Sequence, residues 1–262
     1  MKKLIIVAIL GSSLSVLVSC SKSLFQSQYR TGMVADGRIN DWQFDVEPES
    51  KNGRFHYAVS NDKERVNIVF RSFDRLSQAK VLLNGMKLYL DPELTKSRTT
   101  YIQFPLPQKN IDSLMAKAQL RPGVRPPAKN LEGFIMSLKH LRLTGFNEGH
   151  NGVFALDSTD VKVAISFDDD ESLIYEASIP FKAFSKNGVM PTSLGFYVEV
   201  DGLKPLNAQE DIYKRMSQRG GMYGGGGAGS YGQGGPNQTD AAQQMKDNIK
   251  FELNVKLATT KK

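Results

Sequence analysis

The residue types that usually carry catalysis are few and scattered in this chain of 262 residues. The three histidines, His56, His140 and His150, lack the HExxH spacing that would place two of them on one zinc ion. No GxSxG motif occurs, and the single cysteine, Cys20, excludes an internal disulfide and a cysteine-based zinc site. We therefore predict no catalytic residues, no metal site and no enzymatic activity.

Cys20 is informative because it follows the one strongly apolar stretch of the sequence. Two lysines precede apolar runs over residues 4–10 and 14–18, which are shorter than the roughly 20 residues of a membrane-spanning helix. The last four residues of the stretch, Leu17-Val18-Ser19-Cys20, resemble the lipobox of bacterial lipoproteins. That resemblance implies removal of a signal peptide of residues 1–19 and a lipid anchor, with acyl chains such as palmitate, on the Cys20 thiol. The alternatives are an ordinary secretory signal with a chance cysteine, or a buried free cysteine.

The same resemblance bears on location. Ser21 follows the cysteine in place of the aspartate that retains many bacterial lipoproteins at the inner membrane, which favours the outer membrane. Residues 21–23 lack the acidic residues of a surface-export signal, which favours the periplasmic face. The formal charge of +7 is diffuse, and an exported protein is a poor partner for nucleic acid, so we predict no nucleic-acid binding.

The rest of the sequence shows the alternating pattern of short strands bounded by turn residues. Two hairpins are expected, one over residues 54–73 and one over 161–179 around the acidic turn 168–171. We predict an all-β, antiparallel β-sandwich, since such strands pack as two sheets. The predicted strands cover residues 54–59, 65–73, 85–90, 101–104, 131–143, 161–167, 173–179, 194–200 and 249–257.

Three segments depart from the strand pattern. Residues 109–120 predict a short helix within an insertion of about 107–130, and residues 180–186 predict a helical turn around Phe181 and Phe184. A glycine-rich tract, Gly220–Gly235, predicts a disordered insertion of about 214–242. The expected domain organisation is therefore a lipidated tether over 20–32, a sandwich over 33–258 and a basic tail over 259–262.

Several motifs resemble family 9 carbohydrate-binding modules and their DOMON-like relatives. The opening segment VADGRINDWQF from Val34 resembles their "DG…W" start, and residues 57–73 resemble their second and third strands. Residues 175–180 (YEASIP) resemble a late "YE…IP" strand end, and residues 194–200 resemble the closing strands. The resemblance implies a β-sandwich, often with bound calcium, and a sugar held between aromatic rings.

The single tryptophan, Trp42, matches the structural tryptophan of that family, so we expect it in the core. The sugar-binding residues of the family do not transfer, and the ligand-binding residues stay unassigned. Four aromatic residues either line a cleft or pack across strands: Tyr89, Tyr101, Tyr197 and Phe146.

The acidic run at residues 168–171 and the single residue Asp36 both lie in predicted turns. The run from Asp168 to Glu171 either ligates calcium or forms a solvated turn, and the turn is the better match to its position in a hairpin. Asp36, in the Asp-Gly turn, is expected to accept hydrogen bonds from local backbone amides.

Two functions follow from these observations, and an uncharacterised hydrolase is a third alternative that no catalytic motif supports. The first is a membrane-anchored, non-catalytic binding module of the bacterial envelope, without a cofactor, for carbohydrate or another small envelope ligand. The second is a structural or assembly lipoprotein that binds another envelope protein through its glycine- and tyrosine-rich loop.

Overall fold

The computed structural model describes residues 24–42, 54–108, 128–203 and 243–259. The predicted signal peptide, Cys20, the helix over 109–120, the glycine-rich tract and the last three residues of the basic tail lie outside the described residues. Within the described residues no helix is long and apolar enough to cross a membrane.

The described strands form the two facing sheets of the predicted β-sandwich. Each sheet is mixed rather than purely antiparallel, since the two short strands at residues 25–26 and 28–29 pair in parallel with their neighbours. The sheet of seven strands has the order β1-β12-β11-β5-β6-β7-β8, and the sheet of five has the order β2-β3-β4-β10-β9. Their inner faces pack one continuous hydrophobic core. The strands are β1 Phe25–Gln26, β2 Gln28–Tyr29, β3 His56–Asn61, β4 Arg65–Ser72, β5 Met86–Asp91, β6 Tyr101–Phe104, β7 His140–Thr144, β8 Gly152–Ala155, β9 Lys162–Phe167, β10 Leu173–Pro180, β11 Ser193–Val200 and β12 Ile249–Lys256.

Both predicted hairpins are present. Strand β3 pairs with β4 in antiparallel register, with His56 opposite Arg71, and β9 pairs with β10, with Phe167 opposite Leu173. The expected helical turn after Pro180 is also present, as α3 (Phe181–Phe184), followed by a 3-10 turn at Lys186–Gly188.

The prediction of one strand over 131–143 is wrong for its first half. Residues Ala128–Ser137 form helix α2, and strand β7 begins only at His140. Leu131, Phe134 and Leu138 recur at spacings of three and four residues, which is the helical period, and all three pack into the main core. The helical period therefore determines this segment, despite its mixed pattern.

Helix α1 (Arg75–Asn84) is absent from the sequence prediction, although its two ends carry recognisable signals. The Asp74 carboxylate caps the helix by accepting a hydrogen bond from the Ser77 N–H at 3.0 Å. Gly85 ends it with a φ of 77°, and a Cβ there would lie 1.9 Å from the Pro105 carbonyl oxygen. The helix buries polar as well as apolar residues, so it lacks the amphipathic pattern that sequence reading depends on.

The predicted tether is shorter than residues 20–32, because the described part of it belongs to the sandwich. Strand β1 pairs in parallel with β12, and β2 pairs in parallel with β3, so the segment crosses from one sheet to the other. Ser27, between them, is buried, and its hydroxyl donates to the Asn61 side-chain oxygen at 2.5 Å. Backbone pairing with both sheets fixes this segment despite its polar composition.

A buried carboxylate fastens the segment that contains Trp42. Glu176, on β10, is 1% exposed, and it accepts hydrogen bonds from the Gly37 N–H at 2.6 Å and from the Trp42 indole N–H at 2.5 Å. Trp42 then packs with Val69 and Ile174 in a small cluster separate from the main core. Trp42 is therefore buried, as predicted, but against the outer face of the five-stranded sheet.

The two flanks of the glycine-rich insertion are held side by side. The Leu203 N–H donates to the Met245 carbonyl at 2.8 Å, across the two described ends. Lys80, a fully buried residue of α1, donates to the carbonyls of Gln244 and Asp247 at 2.5 and 2.7 Å. Strand β12 then follows between β11 and β1.

We expect deletion of residues 216–240 to leave a folded domain, whereas ending the chain at residue 216 abolishes folding. The deletion shortens a loop whose flanks are already fixed, which changes stability by only about 0.6 kcal/mol per halving of loop length. The truncation removes β12, which pairs with β11 along eight residues. Thermal unfolding followed by circular dichroism distinguishes the two variants. Equal melting temperatures would contradict the topology.

We expect Glu176→Gln to change how stability depends on pH. Burial raises the pKa of Glu176 from 4.5 to about 7, although the hydrogen bonds from Trp42 and Gly37 oppose this shift. The folded state therefore binds the proton of the Glu176 carboxyl group more tightly than the unfolded state does. The stability that Glu176 contributes in this way is fully present below pH 4.5 and is lost as pH rises through about 7.

The Gln variant should therefore be less stable at every pH, since one acceptor oxygen cannot serve both donors. It should also lose less stability than the natural chain between pH 5 and pH 8. Melting temperatures over this range test both points, with Glu132→Gln on the exposed side of α2 as the control. Parallel pH profiles for Glu176→Gln and the natural chain would contradict the shift.

Candidate functional site

Three tyrosines from adjacent strands form a row on the outer face of the seven-stranded sheet. Tyr89 on β5 lies directly opposite Tyr197 on β11 and Tyr101 on β6. The ring centroids are 5.0 Å apart for Tyr89 and Tyr101, and 5.6 Å apart for Tyr89 and Tyr197. Side chains alternate along a strand, so the neighbours Leu88 and Leu90 point into the main core while Tyr89 points outward. Tyr89 is buried between its neighbours, and the outer two tyrosines are half-buried.

A row of charged and polar side chains runs beside the tyrosines, two residues after the tyrosine on β11 and β6 and two residues before it on the antiparallel strand β5. Lys250, Glu199, Lys87, Gln103 and Arg142 occupy successive paired positions across β12, β11, β5, β6 and β7. Lys250 lies 2.8 Å from the Glu199 carboxylate, and Lys87 lies 3.9 Å from it. The Arg142 guanidinium donates to the Gln103 side-chain oxygen at 3.3 Å.

Hydrogen bonding joins the two rows. The Tyr89 hydroxyl donates to Glu199 at 3.1 Å, and burial, together with the Glu199 charge, raises the pKa of Tyr89 above its ordinary value. Burial by itself would raise the pKa of Glu199, but the bond from Lys250, the charges of Lys250 and Lys87, and the Tyr89 hydroxyl hold it below the ordinary value. Glu199 is therefore a carboxylate whose charge is already neutralised.

The loop between β5 and β6 folds over one end of the tyrosine row. Asp91, at the end of β5, holds this loop by accepting hydrogen bonds from the Glu93 N–H, the Thr95 hydroxyl and the Ser97 N–H at 3.1–3.3 Å. The loop places the guanidinium carbon of Arg98 3.5 Å from the ring centroid of Tyr197. This is the geometry of a cation–π contact.

Gly195 on β11 makes room for the loop. A Cβ at this position would lie 3.2 Å from the Leu94 side chain and 3.3 Å from the Asp91 carbonyl oxygen. A pocket opens here between the loop and the sheet, and its walls include Ser97, Arg98, Tyr197 and Asn254. The site therefore combines aromatic ring faces with hydroxyl, amide and guanidinium groups.

These groups suit a ligand that has both apolar and polar surfaces. An aromatic face attracts the weakly positive C–H groups of a sugar ring, and nearby donors and acceptors satisfy its hydroxyls. The ion pairs in the row of charged side chains limit how much unpaired charge this face of the sheet presents. The tyrosine row and the polar side chains beside it therefore supply groups that can bind such a ligand.

The structure brings together three of the four aromatic residues considered from the sequence. Tyr89, Tyr101 and Tyr197 do pack across strands, and together they form the platform. Phe146 lies elsewhere: it is 5% exposed and belongs to the main core, so its interpretation as a cleft residue is wrong. Sequence reading missed Arg98, Asp91 and Gly195. The polar loop between two strand patterns was visible, but the ring beneath Arg98 belongs to a strand about a hundred residues away.

The acidic turn between β9 and β10 is occupied by arginines. Arg71 lies 2.8 Å from both Asp168 and Asp170, and Arg75 pairs with Glu171. Asp168 also accepts hydrogen bonds from the N–H and hydroxyl of Ser172. Within the described residues no group of three or more His, Cys, Asp or Glu side chains is arranged to hold a metal ion. The turn is therefore an ion-paired hairpin end.

Asp36 has the local role that its turn predicts. Its carboxylate accepts a hydrogen bond from the Arg38 N–H at 2.8 Å. The Asp-Gly turn thus positions the Gly37 N–H, which is the group that donates to Glu176.

Comparison with known proteins gives a structural likeness. No protein-family model matches the chain, and no curated protein matches it. Among solved structures, the chain is similar to a family 9 carbohydrate-binding module from Caldicellulosiruptor kristjanssonii in complex with glucose. The two share 10% sequence identity over 91% of this chain and 97% of that one, with a TM-score of 0.41.

Proposed function

We propose that this chain is a non-catalytic binding module of the bacterial envelope that holds a carbohydrate on the outer face of its seven-stranded sheet. The observation that carries this proposal is the row of Tyr101, Tyr89 and Tyr197 at one register position of three adjacent strands. Cross-strand packing alone explains why the rings touch. It does not require the pocket and the polar groups that border them.

The two sheets differ in what their outer faces carry. On the outer face of the five-stranded sheet, Trp42 packs over Val69 of β4 and Ile174 of β10. The outer face of the seven-stranded sheet instead presents the tyrosines with Ser97, Asn254 and the charged row beside them. Tyr89 is buried and the Arg98 guanidinium lies on the Tyr197 ring, so the half-buried Tyr101 is the ring on which a sugar is proposed to stack. The polar groups beside the row would then exchange hydrogen bonds with an extended sugar chain.

The proposal includes the lipid anchor on Cys20 and a position on the periplasmic face of the outer membrane. The lipobox-like sequence before Cys20 supports it. Because the chain joins the sandwich at Phe25, the five residues from Cys20 span at most about 18 Å. An anchored sandwich would therefore stay close to the membrane surface.

We expect Tyr101→Ala to weaken glycan binding roughly tenfold, which corresponds to about 1.4 kcal/mol of lost stacking. Tyr101→Phe keeps the ring and should retain most of the affinity, so it is the matched control. Calorimetric titration of the chain from residue 23 onward, with glycans first selected on an array, measures both affinities.

Two results would contradict the carbohydrate proposal. One is the absence of binding across the array. The other is a glycan affinity that Tyr101→Ala leaves unchanged. Silence on the array, together with an envelope protein that co-purifies until residues 216–240 are deleted, would support the assembly role instead.

We expect Cys20→Ser to release the full-length protein from the membrane fraction of a Gram-negative host and to abolish labelling by radioactive palmitate. The serine hydroxyl cannot replace the thiol that receives the lipid. Ser21→Ala is the neighbouring control and should remain labelled and membrane-bound. Palmitate labelling that survives Cys20→Ser would contradict the anchor.

A further inference from the structure

We propose that the glycan bound on the tyrosine row is anionic, and that Arg98 binds a carboxylate on its sugar ring. This inference rests on the proposed function, because it concerns the ligand of the same site. It names uronic-acid-containing glycans as the ligand class.

The first observation is how Arg98 is placed. Its guanidinium carbon lies 3.5 Å above the ring centroid of Tyr197, and the side chain is exposed. At this distance the flat group stacks on the ring, which leaves the N–H groups along its edge directed away from the ring face. A fork of N–H donors fits the two oxygens of a planar carboxylate, and stacking fixes the plane of that fork in advance.

The second observation is the balance of charge on this face. Glu199 is engaged by Lys250, Lys87 and Tyr89, and Asp91 accepts hydrogen bonds from three loop groups. A further carboxylate, Glu252 on β12, lies opposite Tyr197 and also borders the pocket. Among the described residues, in contrast, no ion pair joins Arg98 or Lys96 to a carboxylate. Arg98 and Lys96 therefore supply positive charge at this end of the row that no carboxylate of the described residues holds in an ion pair.

The third observation is that the loop is held in place by its own hydrogen bonds. Asp91 accepts from the Ser97 N–H at 3.1 Å, the Ser97 and Thr99 hydroxyls lie 3.0 Å apart, and the Thr100 hydroxyl donates to the Gly145 carbonyl at 2.9 Å. These contacts lie on both sides of Arg98 in the sequence. Since the loop is already ordered, binding does not have to offset the entropy of ordering it.

The pocket beside Arg98 completes the site. Ser97 and Asn254 supply a hydroxyl and an amide for sugar hydroxyls, and Lys96 adds a second positive charge. Tyr89 and Tyr101 continue the platform away from Arg98. A uronic acid with its carboxylate on Arg98 can therefore place neighbouring sugars of the chain along the tyrosine row.

The test compares acidic oligosaccharides with their uncharged counterparts. Oligomers of galacturonate, of mannuronate and guluronate, and of glucuronate are titrated into the chain from residue 23 onward, each beside its methyl ester of equal length. We expect at least one acid to bind ten or more times tighter than its ester. We expect that affinity to fall as salt concentration rises.

Variants then assign the effect to Arg98. Arg98→Gln should remove the preference for the acid, and Arg98→Lys should restore only part of it, because lysine keeps the charge but lacks the planar fork. Arg38→Gln, an exposed arginine on the Trp42 segment, is the matched control and should change nothing. The Nε–Hε resonance of Arg98 should shift on titration with the acid. Melting temperatures establish that each variant is folded.

Different outcomes overturn different claims. Equal affinity for acids and esters, or a preference that survives Arg98→Gln, overturns the anionic ligand but leaves a carbohydrate-binding module. Equally tight binding of polyglutamate, or tighter binding of a sulfated dextran than of any uronate, overturns the recognition of a sugar carboxylate. If no glycan binds, charged or neutral, the proposed function fails together with this inference.

Discussion

The hydrogen bonds to the buried Glu176 carboxylate are the interaction on which the organisation of this protein depends. One side chain receives both the Gly37 N–H and the Trp42 indole N–H, and so ties the first part of the sandwich to a late strand. The donors are separated from Glu176 by more than a hundred residues of sequence. Because a buried carboxylate without partners is very costly, the Trp42 segment must lie across the five-stranded sheet. The segment packs over Val69 and Ile174 on the outer face of this sheet, so the two sheets acquire different outer surfaces.

The tyrosine platform follows from strand register together with one ordered loop. A two-residue period places Tyr89, Tyr101 and Tyr197 outward, and antiparallel pairing places them side by side. Slippage of β6 or β11 by one residue would turn the corresponding tyrosine into the core, so the inward-facing apolar residues fix the platform as well as the fold. The Asp91 loop adds a guanidinium that the sheet itself does not supply. Strand register therefore determines both the packing of the core and the side chains that the outer face presents.

Sequence reading predicted what local periodicity determines and missed what distant contacts determine. The hairpins of β3–β4 and β9–β10 follow from alternation and polar turns, and both are confirmed. Helix α2 escapes prediction because the segment over 131–143 has a mixed pattern, and the helical spacing of Leu131 and Phe134 becomes decisive once both pack into the core. The sequence indicates the three tyrosines as candidates for a ligand-binding cleft, but it does not show that they lie side by side. The stacking of Arg98 on Tyr197 could not be predicted, since it depends on a loop conformation organised by Asp91.

The described chain ends meet at one place in the sandwich. The Ala258 N–H donates to the Ser27 hydroxyl at 2.9 Å, and the Asn61 amide donates to the Ala258 carbonyl at 2.8 Å, so the first and last strands share one set of contacts. The order in which the polypeptide visits its strands is thus nearly circular. A permuted chain that joins residue 259 to residue 24 and opens within 204–242 would retain all the strand pairs described. Such a chain would begin and end within the glycine-rich segment, so any group attached to its N-terminus would stand in a different position relative to the tyrosine row.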